Sequence, residues 1–155
     1  MDKMPEGNVV LGYCSDTVLM LDIDNQREDV VKDFAVEYTK FHDLGSVLIM
    51  KTSETEQMDL FGNRLGKFAV VFGKCPLSWE EIQWHVTEAR RLGMIERSFL
   101  RLRKFGYITI RVNAKNDKIP CPKISYYYRH GDRTGIFRYI RFYVMCKKLG
   151  RKEQN

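Results

Sequence analysis

The run Val18-Leu19-Met20-Leu21-Asp22-Ile23-Asp24 has the apolar character of a buried strand, yet it ends in two carboxylates one residue apart. Successive side chains on a strand point to opposite faces, so Asp22 and Asp24 share one face while Leu19, Leu21 and Ile23 share the other. The two acids then stand about 7 Å apart on one side of a sheet, a separation suited to gripping a divalent cation. Burying an unpaired charge is costly, so a strand with no chemical work seldom carries this pattern. The structural alternative is that both acids serve the following helix, whose N-terminal dipole favours negative charge.

The order of elements follows from the spacing of apolar residues. A strand over 17–24 leads into a helix over 26–42, with Asn25 as its cap and Glu28 as the capping-box partner. Val30, Val31, Phe34, Ala35, Tyr38 and Phe41 recur at helical spacing and form its inner stripe. Strands over 47–52 and 67–72 are joined by a polar connection from Ser53 to Gly66. Ser78 and Glu81 form a capping box for a second helix that Gly93 closes, with Ile82, Val86, Ala89 and Leu92 facing inward. After a short amphipathic piece over 95–104, Ile108, Ile110 and Val112 alternate with Tyr107, Thr109 and Arg111 in a fourth strand. This β-α-β-β-α-β order predicts an α+β protein with an RRM-like or ferredoxin-like core, an antiparallel sheet carrying both helices on one face. Asp22 and Asp24 would look out from the uncovered face. Beyond Pro120 and Pro122 a C-terminal β-hairpin is expected, with arms over 124–130 and 136–146. The chain reads as a single domain over 1–155: a core over 15–118, then a basic, aromatic hairpin and tail over 119–155.

Charge and composition narrow the function. Residues 1–89 hold 8 basic and 16 acidic side chains, whereas residues 90–155 hold 18 and 4. A basic half interleaved with Tyr126, Tyr127, Tyr128, Phe137, Tyr139, Phe142 and Tyr143 suits a nucleic-acid surface, to which Arg138 and Arg141 would contribute. No apolar run approaches the roughly 20 residues of a membrane span, so no membrane partner is expected. The opening Met1 to Gly7 lacks the basic head and apolar stretch of a secretory signal. Cys14, Cys75, Cys121 and Cys146 show no CxxC pairing and read as reduced thiols of a cytoplasmic protein. Glycine-rich phosphate loops are absent, and His42, His85 and His130 have no ligand spacing, His85 reading as a packed side chain. Arg111 shares a face with Thr109, and that face is predicted to be the one carrying the two acids. Lys51, Lys67, Arg111, Lys115 and Lys118 are the candidate contacts to nucleotide or nucleic acid. Glu54, Glu56 and Asp59 are candidates to extend the acidic pair.

Together these residues resemble the archaeo-eukaryotic primase, or primase-polymerase, superfamily. Its hydrophobic-Asp-hydrophobic-Asp strand is similar to Leu21-Asp22-Ile23-Asp24, and its following strand pair to residues 47–52 and 67–72. Its late strand, with a basic residue trailed by a lysine, is similar to Ile110-Arg111-Val112-Asn113-Ala114-Lys115. The likeness covers residues 15–123, although a D-x-D strand also suits nucleotide cyclases and other palm-like folds. The family histidine has no counterpart in Asn63-Arg64-Leu65-Gly66-Lys67-Phe68, and for the family's third acid only Glu96 lies in the approximate region. The resemblance is therefore to a minimal or degenerate member. It implies metal-dependent nucleotidyl transfer on a single-stranded DNA or RNA template within a DNA replication system. Asp22 and Asp24 would be the catalytic pair and would bind Mg²⁺ or Mn²⁺, nucleoside triphosphates would be substrates, and other replication proteins would be partners. The alternatives are a non-catalytic nucleic-acid-binding module on the same fold and, third, a nucleotide cyclase.

Overall fold

In the computed structural model, which describes residues 9–96, 99, 104–116 and 119–153, the alternation read from the sequence decides which side of the main sheet each residue faces. The strands are β1 (Gly12–Ser15), β2 (Met20–Gln26), β3 (Val47–Met58), β4 (Arg64–Phe72), β5 (Ile108–Arg111) and β6 (Lys123–Tyr128). Among the described residues there are three helices: α1 (Glu28–His42), α2 (Trp79–Arg91) and α3 (Thr134–Glu153). The protein is thus α+β, with a four-stranded antiparallel sheet in the order β2-β4-β3-β6 and a separate antiparallel ribbon of β1 and β5. None of the helices is long and apolar enough to cross a membrane.

One face of the main sheet is the core that α1 and α2 cover. Leu21 and Ile23 of β2, Phe68, Val70 and Phe72 of β4, and Val47 and Ile49 of β3 share this face by register and are buried. Val31, Ala35 and Tyr38 of α1 close over them, the Tyr38 ring standing 5.9 Å from that of Phe72. From α2, buried His85 meets the Tyr38 hydroxyl through Nδ1 at 2.7 Å, which makes it a core residue, as its sequence context suggested. The capping box of Ser78 and Glu81 forms in both directions. Phe41 departs from the predicted stripe and is 84% exposed, and Leu92, the C-cap of α2, is exposed too.

Several expectations are corrected. Arg27, not Asn25, caps α1, without a side-chain bond; Asn25 instead takes a left-handed conformation where the β2–β4 register shifts. The polar stretch from Ser53 to Gly66 is not a loop but the extended arms of β3 and β4. Its turn is organised by Asp59, whose carboxylate accepts the N–H groups of Phe61 and Asn63. The fourth strand lies against β2 but does not ladder to it, because the N-terminal segment supplies β1 as its partner.

The largest correction lies at the C-terminal end. The first arm of the expected hairpin is β6, paired to β3, but the second arm is the 20-residue helix α3. Ile136, Tyr139, Tyr143 and Cys146 are buried at a 3-4-3 spacing, a helical stripe that outweighs the strand preference of the aromatic and β-branched residues around it. Tyr139 and Phe142 pack against Tyr13 of β1, so α3 sits beside the ribbon rather than with α1 and α2. The helices therefore do not all share one face. Of the amphipathic piece expected over 95–104, residues 97, 98 and 100–103 lie outside the described residues.

Two predictions follow from the packing. Gly73 joins the loops after α1 and before α3: its N–H reaches Ser46 O, and its own carbonyl accepts from Gly135. A Cβ there would stand 2.0 Å from the backbone oxygen of Asp132. Gly73→Ala should therefore lower unfolding free energy by about 1–3 kcal/mol or more in urea titration. Conversely, the Tyr139 hydroxyl is buried without a hydrogen-bond partner among the described residues. Tyr139→Phe removes that desolvated group and should raise stability by about 1 kcal/mol in the same measurement.

Candidate active site

The face of β2 opposite α1 carries Asp22 and Asp24, and a cleft of about 420 Å³ opens above them. Its floor follows from register. Asp22 lies across from Ala69, whose small side chain leaves room above it, and Lys67 projects from the same face two residues earlier on β4. Thr52 and Ser53 enter where a bulge in β3 shifts the pairing with β4. The β1–β5 ribbon forms a wall with Gly12, Thr109, Ile110 and Arg111, and Val10, Leu11, Lys115 and Ile119 complete the rim. The face was expected to be uncovered; the β1–β5 ribbon and the segments flanking it turn it into a cleft.

Burial raises the Asp22 carboxyl to about 6, the neighbouring charge of Asp24 adds to the rise, and Lys67 and Arg111 oppose it. Asp24 is raised for the same first reason, with Lys67 opposing. Among the described residues neither a hydrogen bond nor an ion pair joins either acid to a partner. Glu96 lies near enough to raise both acids, so three carboxylates share one field. Of the acids weighed from the sequence, Glu96 is the one placed near the pair. Glu54 is tied to Lys51 and Arg64, Asp59 holds the hairpin turn, and Glu56 is exposed on β3.

The basic candidates divide. Lys67, Arg111 and Lys115 line the cleft. Arg111 is held as a strut: its Nη1 donates to the carbonyls of Asn113 and Pro120, and its Nη2 to that of Thr52. It supplies a fixed positive charge, and two of its nitrogens are already committed. Lys51 is not in the cleft; it faces the α1 side by register with Phe68 and pairs with Glu54 at 2.9 Å. Arg138 and Arg141 are exposed on α3 outside the cleft, Arg138 reaching Thr17 Oγ1 at 3.4 Å. Lys118 lies outside the described residues. Sequence reasoning missed Thr52, Ser53 and the Val10–Gly12 segment. The parity of β3 pointed to the first, whereas nothing local marks a Gly-Tyr-Cys-Ser strand.

Among the described residues no group of three or more His, Cys, Asp or Glu side chains gathers as a cation site. A dedicated protein cage is therefore not what these residues form. Two carboxylates without an ion pair among the described residues fit the other mode, in which Mg²⁺ keeps waters and takes its remaining ligands from substrate phosphates.

The raised Asp22 carboxyl makes a stability prediction with a definite sign. Well below its ordinary 3.8, it is protonated in both the folded and unfolded states and adds no cost. As pH rises from 3.8 to about 6, the unfolded chain ionises this group in water while the fold holds it neutral, so the cost builds up over that window and is complete once the folded chain carries the buried charge. Asp22→Asn should stabilise the protein at pH 7.5 by about 1–3 kcal/mol and leave it nearly unchanged at about pH 3. Denaturant unfolding at the two pH values checks this, and a loss of stability at pH 7.5 would mark Asp22 as an anchored ion-pair partner.

No family model, curated protein or solved structure matches this chain, so what it does rests on the chemistry of this cleft.

Proposed function

We propose that this chain is a metal-dependent nucleotidyltransferase of the primase-polymerase kind, working in the cytoplasm on a single-stranded DNA or RNA template in DNA replication. The observation that carries the reading is the cleft in which two partly buried carboxylates, in no ion pair among the described residues, face Lys67, Lys115 and the fixed charge of Arg111. The chain order β2, α1, β3, β4, α2 and β5, with β5 against β2, is compatible with an RRM-like core and supports it. Asp22 and Asp24 would hold Mg²⁺ or Mn²⁺, with Glu96 as a nearby third acid. Bound there, the ion supplies neutralisation of the charge that develops on a transferring phosphoryl group. Lys67 and Lys115 contact the triphosphate, and Arg111 keeps the site positive without leaving its carbonyl partners. Nucleoside triphosphates and a template strand are the substrates. The exposed Phe137, Arg138 and Arg141 of α3 offer stacking and phosphate contacts outside the cleft. Other replication proteins are the expected partners.

A second reading has its own support. Arg111 spends its Nη donors on backbone, and the histidine of the resembled family has no counterpart, so the same surface also suits a nucleic-acid-binding module without catalysis.

Nucleotide incorporation on a single-stranded template, with Mn²⁺ and with or without primer, tests the proposal. Wild type should incorporate, Asp22→Asn combined with Asp24→Asn should abolish it, and Lys67→Ala should weaken nucleotide binding by about tenfold. Folded wild type that binds single strands in a salt-dependent way but incorporates nothing would establish the module instead.

A further inference from the structure

The cleft has two chemically different halves. Its floor is charged, but its rim carries Val10, Leu11 and Ile119, three aliphatic side chains. Val10 and Leu11 are 49% and 37% exposed, so the fold gains little from holding them there. They are held nonetheless. The last β1–β5 pair is Gly12 with Arg111, and beyond it the side chain of Asn113 continues the ladder. Leu11 N–H donates to Asn113 Oδ1 at 2.8 Å, and Asn113 Nδ2 donates to Val9 O at 2.7 Å. Val112 N–H adds a bond to Leu11 O at 3.0 Å. Gly12 permits the close approach, since a Cβ there would stand 2.3 Å from Thr109 Cγ2. Ordering an exposed apolar segment costs conformational entropy that burial does not offset here, and the segment borders a cavity of ligand size.

We infer that Val10, Leu11 and Ile119 form a seat for the flat face of a nucleobase, and that Asn113 is the residue that positions it. The inference rests on the proposed nucleotide site and deepens it: phosphates go to the charged floor, the base to the aliphatic rim. Asn113 touches no substrate. It acts by fixing the backbone of residues 9–11, replacing the strand partner that β5 no longer provides.

Equilibrium binding to the full chain in Mn²⁺ tests this with three probes: ATP, ribose 5-triphosphate and inorganic tripolyphosphate. Wild type should bind ATP about tenfold more tightly than the other two, which lack the base. Asn113→Ala and, separately, Leu11→Ser should bring ATP down to the affinity of tripolyphosphate while leaving tripolyphosphate binding unchanged. Leu11 is exposed, so its variant keeps the test valid where Asn113→Ala fails to fold. Equal affinity of wild type for all three probes would overturn the base seat and leave the charged floor standing. An unchanged ATP preference in Leu11→Ser would also overturn it. Failure of wild type to bind any probe would overturn the nucleotide site itself.

Discussion

Everything in the cleft depends on β2 having no freedom of register. Leu21 and Ile23 are fully buried against the α1 side, each adding about 1.5–3 kcal/mol by leaving water. Because side chains alternate, that burial forces Asp22 and Asp24 to the opposite face. A slip of one residue would drive both acids under the helices and bring two aliphatic side chains into the cleft. The hydrophobic core therefore fixes the site geometry while taking no part in its chemistry. It also offsets the cost of the buried Asp22 charge, which is comparable to burying one such side chain.

The walls of the cleft come from segments distant in sequence, and Arg111 ties them together. From β5 it reaches a carbonyl on β3 and two in the connection toward β6. One guanidinium thus fixes the main sheet, the ribbon and the connection relative to each other. Its charge also acts on Asp22. Replacing it by lysine would keep a charge but lose the planar fork that joins carbonyls on both sides. The basic half of the chain reaches the acidic half through this junction, which is how the charge asymmetry of the sequence becomes a single mixed-charge pocket.

How far the sequence was legible varies with the range of the forces involved. The strands around 17–24, 47–52 and 67–72 and helix α2 were readable because period and capping are local signals, and Ser78 with Glu81 caps as written. Asp22, Asp24, Lys67, Arg111 and Lys115 come together because parity alone assigns most of them a face. The same parity, applied to Val47, Ile49 and Lys51, would have placed Lys51 on the helix side. Helix α3 was misread because its tyrosines, phenylalanines and isoleucines favour strands, and only packing against β1 and β4 lets the 3-4-3 stripe prevail. Strand β1 and the rim it leads into had no local signal, since their partners Thr109 and Asn113 lie about a hundred residues away.

The disposition of charge in the cleft argues against a merely structural cluster. A network that existed for stability would pair its acids with its cations at contact distance, as Lys51 and Glu54 do at 2.9 Å. Here Lys67 is near enough to lower both acids yet makes no ion pair with either, and Arg111 gives its Nη donors to neutral carbonyls. Burial holds the carboxyl near pH 6 in one case and raised in both, and among the described residues no ion pair relieves either acid. Opposite charges held close but apart are suited to a ligand with a positive and a negative part, such as a divalent cation carried with phosphates. A lone anion would meet repulsion from Asp22 and Asp24, and a lone cation would meet it from Lys67 and Arg111. The arrangement favours the two arriving together, and the aliphatic rim adds a third requirement that neither ion alone satisfies.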